Sequence, residues 1–250
     1  MTRSFLTLGF GLLATLAPLS AHADGSYDLQ PPTTSTRLLD ARRDAPLVRG
    51  SLGLRGQWLG SEGRDPFTNS DFSPQLSLGA DVTLLRTRRL SLAAGLAWDL
   101  GAGSGTARGV DATLVTHRLT VPIEGRWHWT RSAYGFFRAA PGFSANVARL
   151  RDLDANVGTY GDTRFAFATD LSAGVAFGLS PQPKNGSRGV RLWLVPELGY
   201  ALAGKTSFAL TPPSERPDTD VTLPGSTLPA RLPGFSPSGP FFRVSLALGF

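Results

Sequence analysis

The chain reads as all-β, an eight-stranded antiparallel up-and-down transmembrane β-barrel. Three observations predict it: eight segments of apolar/polar alternation, aromatic side chains gathered near both ends of those segments, and connections that alternate between short and long. A period of two places every second side chain on one face of an extended chain, which the 3.6-residue turn of a helix cannot do.

Composition points the same way. Hydrophobic residues make up 41% and mean hydropathy is −0.04, which fits neither a disordered chain nor a bundle of membrane helices. With Gly 29, Pro 19, Phe 15 and Trp 5, turns and strands are favoured over long helices. Cysteine is absent, which excludes disulfides, thiolate metal sites, a thiol nucleophile and an N-terminal lipid anchor on cysteine. The net charge of +6 comes from scattered arginines in a chain only 18% charged, so no nucleic-acid partner is expected.

Residues 1–23 carry the marks of a cleavable export signal. Arg3 supplies the positive start, Phe5 to Leu16 the apolar stretch, Pro18 a helix break, and Ala21-His22-Ala23 the small-x-small cleavage pattern. Residues 24–46 follow as a flexible N-terminal segment, polar and proline-containing from Gln30 to Thr36 and charged from Arg37 to Asp44. The barrel is expected over 47–250. No later stretch offers the run of about 18 apolar residues that a membrane helix requires.

Strict alternation begins with the first predicted strand, about 47–60, where Val48, Leu52, Leu54 and Trp58 oppose Arg49, Ser51, Arg55 and Gln57. The second, 72–85, sets Phe72, Leu76, Leu78, Val82 and Leu84 against Ser73, Gln75, Ser77, Asp81 and Thr83. The third, 90–100, sets Leu90, Leu92, Leu96 and Trp98 against Ser91, Gly95 and Asp99. The fourth, 113–129, sets Val115, Leu119, Val121, Ile123, Trp127 and Trp129 against Thr116, Arg118, Thr120, Glu124, Arg126 and His128.

In the fifth, 134–148, Phe137, Pro141, Phe143 and Val147 oppose Arg138, Ser144 and Asn146. The sixth, 164–179, places Phe165, Phe167, Leu171, Val175 and Phe177 against Arg164, Asp170 and Ser172. In the seventh, 190–202, Leu192, Leu194, Leu198 and Tyr200 face away from Arg191 and Glu197, although Trp193 and Val195 blur its polar side. The eighth is the cleanest: Phe242, Val244, Leu246, Leu248 and Phe250 alternate with Arg243, Ser245, Ala247 and Gly249. Each segment has the ten or so residues that a tilted strand needs to cross a bilayer.

Alternation alone does not separate a membrane barrel from a soluble one, because it is identical in both. The composition of the faces does. One is almost wholly aliphatic or aromatic; the other mixes Gly, Ala and Ser with a few charges, which suits a narrow lumen. The aromatics form two girdles, with Trp58, Phe72, Trp98, Phe165, Tyr200 and Phe242 at one end. Trp127, Trp129, Tyr134, Phe137, Phe177 and Phe250 make the other. Residues 86–89 and 130–133 form short turns and 180–189 a moderate one, whereas 61–71, 101–112, 149–163 and 203–240 are long. An even strand count puts both barrel ends on the short-turn side.

The terminal run Phe242, Val244, Leu246, Leu248 and Phe250, ending on phenylalanine, resembles the C-terminal assembly signal of bacterial outer-membrane β-barrel proteins. The whole plan is similar to the small eight-stranded members of that group. The resemblance implies cell outer-membrane localisation, short turns in the periplasm, and three partners: the lipid bilayer, periplasmic chaperones and the barrel-assembly machinery.

Fourteen side chains are expected to form a lumen charge network. They are Arg49, Arg55, Asp81, Asp99, Arg118, Glu124, Arg126, His128, Arg138, Arg164, Asp170, Arg191, Glu197 and Arg243. Eight arginines against five carboxylates admit an anion-preferring passage, but pairing in a closed lumen is the expected state, since unpaired charge in so narrow a space is costly. No catalytic, cofactor-binding or metal residues are expected. His117 lies on the outer face followed by Arg118 and Leu119, without the His-x-Ser arrangement that small lipid-modifying barrels resemble.

Gly101 to Gly105 resembles a phosphate loop only superficially and is expected to be a flexible loop tip. Asp152, Asp154 and Asp162 read as a solvated acidic loop rather than a cation site. The proline-rich loop 203–240, with Phe208 and Phe235, is expected either to reach outward and bind a partner or to fold as a lid over the mouth. The predicted function is therefore a non-enzymatic structural or surface-binding role. The alternative is a small porin or a transporter of small or apolar solutes.

Overall fold

The computed structural model describes residues 46–60, 67–68, 70–107, 110–152, 159–180, 189–210, 230–231 and 234–250. The export signal and all of the N-terminal segment except Pro46 lie outside them. In chain order the strands are β1 (Val48–Trp58), β2 (Phe72–Arg86), β3 (Leu90–Ala107), β4 (Val110–Thr120), β5 (Ile123–His128) and β6 (Ala133–Asp152). They continue with β7 (Thr159–Gly178), β8 (Arg191–Ala203), the short β9 (Ala209–Leu210) and β10 (Ala230–Arg231), and β11 (Gly239–Gly249).

Each long strand pairs antiparallel with its sequence neighbour, and β11 pairs with β1 to close the ring. Within the closed ring, then, no described strand is left as an open edge, the usual aggregation hazard of a sheet. The predicted fourth strand is interrupted at Val121-Pro122, because proline has no N–H to give the ladder. The break leaves the register intact. Thr120 faces Ala97 and Gly142, while Ile123 faces Ala94 and Ala139, the same spacing on both sides. The Pro122 carbonyl still accepts from Gly95 N, so β4 and β5 act as one crossing strand and the barrel has eight.

Register fixes the shape. Paired residues run around the ring from Val48 through Val82, Ala94, Ile123, Ala139, Leu171, Tyr200 and Pro240. Pro240 precedes Phe241, the partner of Gln57, so the path returns to β1 at Trp58, ten residues beyond its start. With eight strands, that stagger tilts them by about 40° and leaves an interior just wide enough for side chains to fill.

The two faces separate as alternation requires. Leu52, Leu54, Leu96, Ile123, Phe137, Phe143, Phe167, Leu198 and Leu246 are exposed on the outside. Arg49, Arg55, Asp99, Arg118, Glu124, Arg126, Asp170, Glu197 and Arg243 are buried inside. At the long-loop rim Trp58 packs against Phe72 and Phe242, with ring centroids 5.4 and 5.7 Å away. At the opposite rim Trp127, Trp129, Phe137, Phe177 and Phe250 are exposed. Tyr134 departs from the predicted girdle: it is completely buried in the lumen, because it shares the inward parity of Phe136 and Arg138.

Two predicted loops are instead strand. Gly101 to Gly105 belongs to β3, paired with β4 from Thr116 to Ala112, and is not a loop tip. Much of 149–163 extends β6 and β7, which pair as far as Arg151 and Thr159. The last partner of β3 on β2 is Gly101, and the last partner of β7 on β8 is Ala168. Beyond those points β3, β4, β6 and β7 stand above the rim as a four-stranded extension. Partners within this sheet offset the weak strand preference of glycine, a preference that depends on context.

Candidate functional site

The lumen holds two linked layers of charge. Near the short-turn end, Arg49 on β1 donates from Nε to Asp81 at 2.7 Å and from Nη2 to Glu124 at 2.9 Å. Arg126, two residues from Glu124 on β5 and therefore on the same face, donates to Glu124 at 2.7 Å and to Asp81 at 2.5 Å. Arg138 on β6 reaches Glu124 and, at 2.8 Å, Glu197 on β8. Glu124 thus accepts from three arginines on three strands.

The second layer lies nearer the long loops. Arg55 and Arg243 are direct partners across the β1–β11 seam, a like-charge juxtaposition that by itself is repulsive. Asp99 lies between them, 2.7 Å from Arg55 and 2.9 Å from Arg243, and it also accepts from the Ser77 hydroxyl. Asp170 pairs with Arg55 at 2.8 Å and with Arg118 at 2.6 Å. The Phe241 ring lies under the Arg55 guanidinium, 4.0 Å from its centroid, adding a cation–π contact. Arg243 also reaches Glu197 at 3.3 Å, so Glu197 joins the layers.

Six arginines and five carboxylates make up this connected core. Arg164 does not join it. Its side chain is half exposed on the extension, paired with Asp162 at 2.8 Å. The reason is strand length: β7 continues past the rim, so residue 164 keeps the inward parity but lies above the lumen. Arg191 is buried at the short-turn end, where it donates to the Arg131 carbonyl at 2.9 Å and lies over Trp193. His128 meets the Ser91 hydroxyl at 2.9 Å and packs on Tyr134.

Apolar groups that alternation did not single out fill the rest. Tyr134, Phe136, Ala176, Trp193, Val195 and Ala247 form a buried cluster beside the lower charge layer, and the Tyr134 hydroxyl accepts from Arg49. At the long-loop mouth Phe208 and Phe235 pack with Leu59, Phe67, Ala112, Leu114 and Ala148. Thr206 and Phe235 bridge the two stems of the last loop, and Gln57 donates to the Pro237 carbonyl at 2.9 Å. The described base of 203–240 is therefore folded into the mouth as a lid. Its tip, 211–229, lies outside the described residues.

A cavity of about 30 Å³ remains among Arg49, Arg138, Asp81, Asp99, Glu197 and Arg243, space for a water or two rather than a solute. On the outer face, the His117 ring stacks on Trp98 with centroids 5.9 Å apart and planes 4° from parallel. Among the described residues no three His, Asp or Glu side chains are gathered closely enough to hold a metal ion. Asp162 is instead bound to Arg164 and the Ala209 amide, while Asp154 and the side chain of Asp152 lie outside the described residues.

No protein-family model matches the chain, and no curated protein matches it. Among solved structures it is similar to Ail, the attachment invasion locus protein of Yersinia pestis, at 9% identity and a TM-score of 0.39. That match covers 81% of this chain and 95% of that one. The Ail complex with the heparin analogue sucrose octasulfate matches at 9% identity, covering 81% and 96%, with a TM-score of 0.41. Eight tilted antiparallel strands, an apolar exterior, a polar interior and short turns at one rim give this chain the fold of a small outer-membrane-type β-barrel.

Proposed function

We propose that the protein resides in the outer membrane and acts from its surface, as a non-enzymatic structural or binding protein, rather than conducting solutes. The observation that carries this reading is the filled lumen. Cations and carboxylates from all eight barrel strands meet side chain to side chain, and the mouth above them is closed by Phe208 and Phe235. An apolar exterior, which water would penalise, supports the bilayer as its surroundings.

Chain direction then puts the start of β1, the end of β11 and the short turns in the periplasm. The four-stranded extension and the last loop face outward, where a surface partner would be met. Phe242, Val244, Leu246, Leu248 and Phe250 serve as the assembly signal read by the barrel-assembly machinery. The same strand closes the ring, with Phe250 N donating to Val48 O at 2.9 Å.

Purified protein in planar bilayers is expected to give no large, steady conductance, and denaturing gels are expected to show a heat-dependent mobility shift. Stable conductance would overturn the closed lumen and favour a small porin. A soluble periplasmic protein without the shift would overturn the membrane assignment.

A further inference from the structure

A groove of about 570 Å³ runs along the outer wall at the short-turn end, lined by Leu85, Leu92, Gly125, Trp127, Trp129 and Phe137. Its floor exists because Gly125 sits between Leu92 and Phe137 in register, and an added Cβ there would meet nothing within 4 Å. Gly135 has a different job: a Cβ at this position would run into the Trp129 ring, so its absence lets that ring lie against β6 as a wall. The register shift between Thr83 and Leu85 is a β-bulge that leaves both Leu84 and Leu85 on the outside, with Leu85 lining the groove.

A cationic turn adjoins the groove. Thr87 and Leu90 both line it, and they bracket the exposed pair Arg88-Arg89. That turn is fixed: Thr87 N donates to Leu90 O at 2.8 Å, and Leu90 N donates to the Thr87 hydroxyl at 3.1 Å. Two exposed arginines thus sit in a fixed turn next to an apolar slot whose volume lies in the range of small-ligand sites.

We propose that this groove seats one anionic phospholipid of the periplasmic leaflet. An acyl chain lies over Gly125 between Trp127 and Phe137, and the headgroup phosphate is held by Arg88 and Arg89. The charge pattern decides the occupant, since an uncharged apolar solute would gain nothing from the paired arginines. The inference rests on the membrane reading given above.

Native mass spectrometry of protein released from nanodiscs of mixed phosphatidylglycerol and phosphatidylethanolamine tests it. Wild type is expected to retain one phosphatidylglycerol in preference to phosphatidylethanolamine. Gly125→Leu, whose Cβ meets nothing within 4 Å, fills the floor and is expected to lower retention of both lipids about tenfold while keeping the heat-dependent gel shift. The double variant Arg88→Ala/Arg89→Ala lies in an exposed turn and is expected to keep chain retention but lose the headgroup preference. Unselective retention by wild type, retention unchanged in Gly125→Leu, or a phosphatidylglycerol preference unchanged in the double arginine variant overturns the proposal. The heat-dependent gel shift separates the two failures. A normal shift with unselective lipid sinks the groove alone, whereas no shift sinks the membrane reading and the groove with it.

Discussion

Glu124 accepts hydrogen bonds from Arg49, Arg126 and Arg138, and among the described residues no other lumen carboxylate meets three arginines on three strands so closely. Replacing it by glutamine keeps the shape but leaves three buried cations with only Asp81 and Glu197 to balance them. Removing one partner of a buried pair costs about 3–5 kcal/mol. Glu124→Gln is therefore expected to lower the urea midpoint of unfolding in detergent markedly. Arg164→Ala, which breaks the half-exposed pair with Asp162, is expected to change stability by less than about 1 kcal/mol. Equal effects of the two variants would show that the lumen charges contribute no more than surface ones.

At the scale of single strands, the seam between β11 and β1 carries both the repulsive Arg55–Arg243 juxtaposition and a backbone demand at its upper end. Gly239 opens β11 with φ +156°, and a Cβ there would collide with the Trp58 carbonyl. Gly239→Ala is expected to cost about 1–3 kcal/mol through backbone strain alone, and more through the collision. Hydrogen exchange would place the loss: faster exchange is expected at Leu59 and along the stems 204–208 and 234–238, with the ladder at the short-turn end unchanged. Uniform acceleration around the barrel would refute so local an effect. Pro122 is the contrasting case, an interruption that the two neighbouring strands hold in register.

For the molecule as a whole, the lid and the charge layers are separable closures. Phe208→Ala/Phe235→Ala removes the two rings that anchor the last loop in the mouth. Protease added to intact cells is expected to cut this variant within 203–240 faster than wild type, while bilayer conductance stays absent because the ion-paired layers remain. Cleavage only from the periplasmic side would invert the assigned topology. Conductance appearing in this variant would mean that the lid, and not the charges, closes the lumen.

Strand number, face assignment and barrel class were legible in the sequence because alternation is a local property: Arg55 is inward and Leu54 outward whatever their neighbours are. Parity also contained Tyr134 and Phe136, since both share it with Arg138, but their aromatic character drew Tyr134 to the girdle instead. Strand ends were less legible. Gly101 to Gly105 and residues 149–152 look like loop by propensity, and become strand only because partners exist on both sides. The same extension carries Arg164 out of the lumen. Which arginine meets which carboxylate, and the seating of Phe208 against Phe67, are matters of register and of contacts between residues far apart in the chain. By itself the sequence determined that this chain alternates into eight strands with an apolar outside and a charged inside. Only the tertiary structure decided that the charges pair and the mouth is filled, because the ten-residue stagger sets which side chains share a level in the barrel.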